Sequence, residues 1–90
     1  MTPAEEALTV ARVRSWLRSG RARAIRERVG MSQADAGRMV GADGPQISRW
    51  ESGKAVPLRA SVLRLAHLYD LLEEIIRAED DTAAARGITA

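Results

Sequence analysis

Two glycines and a proline fall within five residues at Gly41-Ala42-Asp43-Gly44-Pro45. No regular helix continues through such a segment, because glycine is costly in a helix interior and proline removes a donor and clashes with the preceding turn. The flanks are nevertheless helical. Before the break, Ser32 is a good N-cap, with Gln33, Ala34 and Asp35 in the first turn. Ala36, Met39 and Val40 then recur at helical spacing and read as core positions. After it, Asp43 or Gly44 can cap a second helix, and Pro45 suits a first turn where no N–H is needed. Gln46-Ile47-Ser48-Arg49-Trp50-Glu51 follows, and Ser52-Gly53 stops it.

Two helices of about eight residues around a glycine-containing turn form a helix-turn-helix pattern. The second helix is two-faced. Ile47 and Trp50, three apart, point one way; Gln46 and Arg49, also three apart, point another. Gln pairs bidentately with adenine and Arg with guanine in the major groove, so Gln46 and Arg49 are candidate base contacts, with Ser48 a minor one. Ser32-Gln33, Gly41, the run Ile47-Ser48-Arg49-Trp50-Glu51, Gly53-Lys54 and Pro57 together resemble the Cro/lambda-repressor (Xre-type) helix-turn-helix family. The resemblance covers residues 21–72 and implies a DNA-binding domain.

The resemblance implies further roles. Arg26 pairs with Glu51 in a structural ion pair that sets a helix angle. Gln33, at a helix N-terminus, bonds a DNA phosphate with help from the helix dipole. Gly37 sits where the family uses a small residue for helix crossing. Two positions depart from the pattern. Ala36 is smaller than the family's usual leucine, which predicts a thinner core. Gly44 and Pro45 stand where polar base-contacting side chains often lie, which predicts modest specificity per monomer and a contribution from DNA shape. Ser52, Lys54 with the loop amides, and Arg59 are the remaining candidate phosphate contacts.

Charge supports a nucleic-acid surface. The net charge is only +2, but residues 12–64 carry twelve Arg or Lys against four acids, while residues 65–90 carry two arginines against six acids. A positive field centred on the motif is the expected footprint of a nucleic-acid binder. An arginine-rich face that is merely solvated is the plain alternative. Arginine outnumbers lysine 13 to 1, a usage that suggests a GC-rich bacterial or phage genome.

A chain of 90 residues makes one small domain, and its 3% aromatic content requires a core of Leu, Val, Ile, Ala and Met. There are no cysteines, hence no disulfide framework and no Cys metal site. No apolar run spans a bilayer, and the acidic N-terminus lacks the basic region of a signal peptide. The expected location is therefore cytoplasmic: the bacterial nucleoid, or the host cytoplasm if phage-encoded.

Along the chain, Thr2-Pro3-Ala4-Glu5 is a capping box that opens an extra helix over 3–18. This helix either covers the core or builds a dimer contact. Ser19-Gly20 interrupts it, and 21–29 forms the next helix, closed by Gly30, with Ala22, Ile25 and Val29 buried. After Pro57, two apolar stripes follow: Val62, Leu65, Ala66, Tyr69, Leu72 and Ile76, and Leu63, Leu68, Leu71 and Ile75. Either a tight turn occurs near Tyr69-Asp70 or one helix runs from about Leu58 to Glu79. The apolar excess predicts a homodimer through Leu68, Leu71, Leu72, Ile75 and Ile76. A frayed tail is expected over 81–90.

The lone histidine, His67, reads as a core or half-exposed residue. Glu73, Glu74, Glu79, Asp80 and Asp81 read as a solvated face. No catalytic, metal or cofactor constellation is present. The expectation is an all-α domain of five or six helices over residues 1–90. It would act on double-stranded DNA as a homodimer on an inverted repeat, regulating transcription by promoter occlusion. An antitoxin with a protein partner, and an adaptor with a degenerate helix-turn-helix, are the alternatives.

Overall fold

A computed structural model describes residues 1–87, which form five α-helices and no strand. Helix α1 (Pro3–Ser19) opens on the expected capping box: the Thr2 hydroxyl accepts from the Glu5 N–H, and the Glu5 carboxylate accepts from the Thr2 N–H. Gly20, at φ 84°, is the single residue between α1 and α2 (Arg21–Val29). Glycine carries this left-handed link because a Cβ would be strained there. The Ser32 hydroxyl caps α3 (Gln33–Val40), and the Asp43 carboxylate caps α4 (Gly44–Glu51). Helix α5 (Arg59–Ala85) has 27 residues, roughly 40 Å at 1.5 Å per residue.

Helix α5 is the spine. Helices α1, α2 and α3 all pack against it, and α3 packs against α4. The most completely buried side chains are Val13, Val40, Ile47, Val62, Leu65 and Leu72, so the core is aliphatic as the composition requires. Met39 is a correction: it is 54% exposed, because the turn of α3 that buries Val40 and Ala36 directs Met39 to solvent. Leu8 of α1 is also exposed.

Helix α5 passes through Tyr69-Asp70 without a turn. Tyr69 is buried, and Asp70 faces outward to accept from the Arg12 guanidinium at 3.2 Å. The helix also outlasts its expected end. Residues 80–85 are helical rather than frayed, and a short Arg28–Asp80 ion pair ties this extension back to α2. The tail beyond residue 87 lies outside the described residues.

The charge asymmetry of the sequence folds back on itself. Asp70, Glu73 and Asp80 of α5 take Arg12, Arg21 and Arg28 of α1 and α2. The Arg12 and Arg21 guanidiniums also lie over the Trp16 ring, at 4.9 and 4.7 Å from its centroid. Such exposed pairs each contribute little to stability. Collectively they offset the charges of Arg12, Arg21 and Arg28 on the α1–α2–α5 surface. No described helix is long and apolar enough to cross a membrane.

Candidate nucleic-acid interface

Helix α4 is built to present one face. Asp43 Oδ1 accepts from the Gln46 N–H at 2.8 Å, so its carboxylate is engaged as the cap. Ile47 and Trp50 are buried, which leaves Ser48 and Arg49 exposed and Gln46 half-exposed. Arg49 Nη2 donates to Gln46 Oε1 at 2.5 Å. The two candidate base readers are therefore one unit. The bond pre-orients Arg49 along the helix face and leaves the Gln46 amide N–H groups for an acceptor on a base edge.

The close approach of α3 and α4 accounts for the glycines at 37 and 44. A Cβ on Gly37 would lie 2.7 Å from the Asp43 carbonyl carbon, so no larger residue fits there. A Cβ on Gly44 would meet the backbone N of Ala34 at 3.3 Å. Gly44 is thus a packing residue where relatives of the resemblance place a reader. Ala36, next to Gly37, is buried.

The orientation of α4 is fixed from beneath by the expected pair. Arg26 Nε donates to Glu51 Oε2 at 2.7 Å, and Nη2 to Oε1 at 2.9 Å. Gln33 joins it: its Nε2 donates to Glu51 Oε1 at 3.0 Å. The Gln33 amide, foreseen as a phosphate contact, thus has an internal partner that positions it at the start of α3.

The other candidate phosphate contacts divide. Lys54 is exposed and has no carboxylate partner among the described residues. The Ser52 hydroxyl donates to the Arg49 carbonyl. The loop amides are not free: the N–H of Gly53 donates to the Trp50 carbonyl, and those of Lys54 and Ala55 to the Arg49 carbonyl, closing the end of α4. Arg59 has a carboxylate partner. Its Nε donates to Glu6 Oε1 at 2.7 Å, because α1 passes beside the start of α5 and supplies an acid that the motif alone does not contain.

Five arginines outside the expected set have no carboxylate partner among the described residues: Arg14 and Arg18 of α1, Arg64 and Arg77 of α5, and Arg86 just after it. Arg64 Nη1 lies over Gly41 in the turn, 3.2 Å from where a Cβ would stand. Sequence alone carries no signal for them, since which arginines an acid captures depends on the helix packing.

The dimer candidates also divide. Leu68 and Leu72 are buried within the monomer, a correction that follows from α1 and α2 both packing on α5. Ile76 is half-buried against the same core. Leu71 and Ile75 are 37% and 42% exposed. His67 is exposed, and no group of three potential metal ligands occurs among the described residues.

Comparison with known proteins places this geometry. The model of the family described as "Helix-turn-helix domain" matches residues 19–78, two thirds of the chain and all of α2, α3 and α4. No curated protein and no solved structure matches the chain. The match begins at the last residue of α1, so nearly all of that helix lies outside it. The chain belongs to the helix-turn-helix domain family, a DNA-binding class.

Proposed function

We propose that the protein is a sequence-specific, double-stranded-DNA-binding transcriptional regulator of the Cro/repressor type. One observation carries the reading: the Gln46–Arg49 unit stands exposed on a helix whose other face is locked by Ile47, Trp50 and the Arg26–Glu51 pair. Arg49 reads guanine and Gln46 adenine in the major groove. Lys54 grips a phosphate beyond the groove, and Gln33 does so at the start of α3, where unpaired N–H groups and the helix dipole favour an anion. With only one strong reading unit per chain, a homodimer on an inverted repeat doubles the specificity. Half-sites about one helical turn apart put both α4 helices on one face of the duplex. Repression then follows from occluding a promoter.

Leu71 and Ile75 support the dimer. They begin the series Leu71, Ile75, Ala78, Thr82 and Ala85, alternately four and three residues apart along α5, the spacing of a two-helix seam. The same seam would serve an unlike protein in the antitoxin reading.

Arg49→Ala tests the proposal. Loss of the guanine contact should cost about 1–3 kcal/mol and relax preference at one G·C pair per half-site. Lys54→Ala should weaken all sequences alike and make the salt dependence shallower. An Arg49→Ala protein with unchanged affinity and preference would refute the assignment.

A further inference from the structure

Arg14 and Arg18 lie four residues apart on α1, one above the other on a single face. Together with Leu17 they line a cleft of about 170 Å³ against Trp50, Val56 and Pro57. The cleft thus lies between α1 and the end of α4 with the loop after it, the loop that carries Lys54. Its floor is apolar and no acid lines it. Arg14 Nε is buried and donates to nothing. A buried donor without an acceptor is unfavourable, so the fold leaves this guanidinium without a hydrogen-bond anchor at Nε.

These two arginines differ from their neighbours. Arg12, two residues before Arg14 on the same helix, is taken by Asp70. Arg21, Arg23, Arg28, Arg38 and Arg59 each have a carboxylate as well. On α1 and α2, acids take every arginine except Arg14 and Arg18, the two beside the end of the reading helix.

We propose that Arg14 and Arg18 form a second grip on the DNA backbone, flanking the half-site that α4 reads. The reading of the protein as a DNA binder underlies this proposal. The chemistry of the cleft matches a sugar-phosphate unit: the apolar floor accepts a deoxyribose, and the two guanidiniums take the phosphate oxygens through their Nη groups. Helix α1, almost wholly outside the family match, is then part of the interface, and it lengthens the footprint on the Lys54 side.

The test measures affinity for a duplex as a function of salt. The proteins are the wild type, the exposed single variant Arg18→Gln, the double variant Arg14→Gln/Arg18→Gln and the charge-keeping double variant Arg14→Lys/Arg18→Lys. Each lost phosphate contact makes the slope of log affinity against log salt shallower by about 0.9. Arg18→Gln should lose about 0.9 and the double Gln variant about 1.8, with base preference intact, while the Lys variant keeps the wild-type slope. A wild-type slope in Arg18→Gln and the double Gln variant would place α1 off the DNA and overturn the proposal, leaving the DNA-binding reading standing. A wild type that shows no salt-sensitive binding to any duplex would overturn both.

Discussion

Arg26 and Glu51 form a bidentate ion pair across 25 residues of chain, with side chains only 8% and 4% exposed. Arg26 Nη1 also donates to the Met31 carbonyl, and Glu51 accepts from Gln33. One cluster therefore joins α2, the link before α3, the first residue of α3 and the last residue of α4. The hydrogen bonds to Glu51 hold the Arg26 guanidinium above its ordinary pKa, against the opposing effect of burial. Replacing either partner strands a buried charge. Arg26→Ala or Glu51→Ala should each cost about 3–5 kcal/mol in urea unfolding. Arg26→Met/Glu51→Leu should lose less than either single change, since no unpaired charge remains.

Gly37→Ala should reverse the usual sign. In an ordinary helix interior, alanine for glycine stabilises by about 0.5–1 kcal/mol. Here the new methyl would stand within 3 Å of three backbone atoms of Asp43, and backbone cannot swing aside as a side-chain tip can. The expected result is a destabilisation of about 1–3 kcal/mol, seen as a lower melting temperature.

Asp43 sets stability against affinity. Its carboxylate caps α4 but places negative charge at the end that would enter the groove in the proposed complex. Asp43→Ala should lose about 0.5–2 kcal/mol of stability while binding DNA more tightly wherever it remains folded. Asp43→Ser should keep most of the cap and still gain affinity. Melting and duplex binding on the same three proteins check both directions.

Acid should loosen α1. The Arg59 hydrogen bond, aided by its charge, holds the Glu6 carboxyl below its ordinary value of 4.5, and the hydrogen bonds with Thr2 hold Glu5 below it too. A carboxyl whose pKa is lowered by folding stabilises above its unfolded value and loses that contribution as pH falls through the folded one. The melting temperature should therefore drop as pH falls below about 4.5, and Glu6→Gln should blunt the drop.

The elements bounded by local chemistry were readable from the chain. The Thr2–Glu5 capping box, Ser32, Asp43 and the glycines after α2 and α3 act within a few residues, so their positions matched the structure closely. The Arg26–Glu51 register was readable because the resemblance supplied a long-range contact. What stayed hidden depends on packing between distant helices. Periodicity marks both stripes of α5 as apolar but cannot say that α1 and α2 cover Leu68 and Leu72 while Leu71 and Ile75 stay open. Nor does it pair Glu6 with Arg59, or leave Arg14 Nε without a partner.

The most direct test of the central claim is to select bound duplexes from a random pool with the purified protein, near physiological salt. The account predicts an enriched inverted repeat, with half-sites about one helical turn apart and a G·C pair in each that Arg49→Ala no longer prefers. Retention without enrichment of any sequence would contradict it.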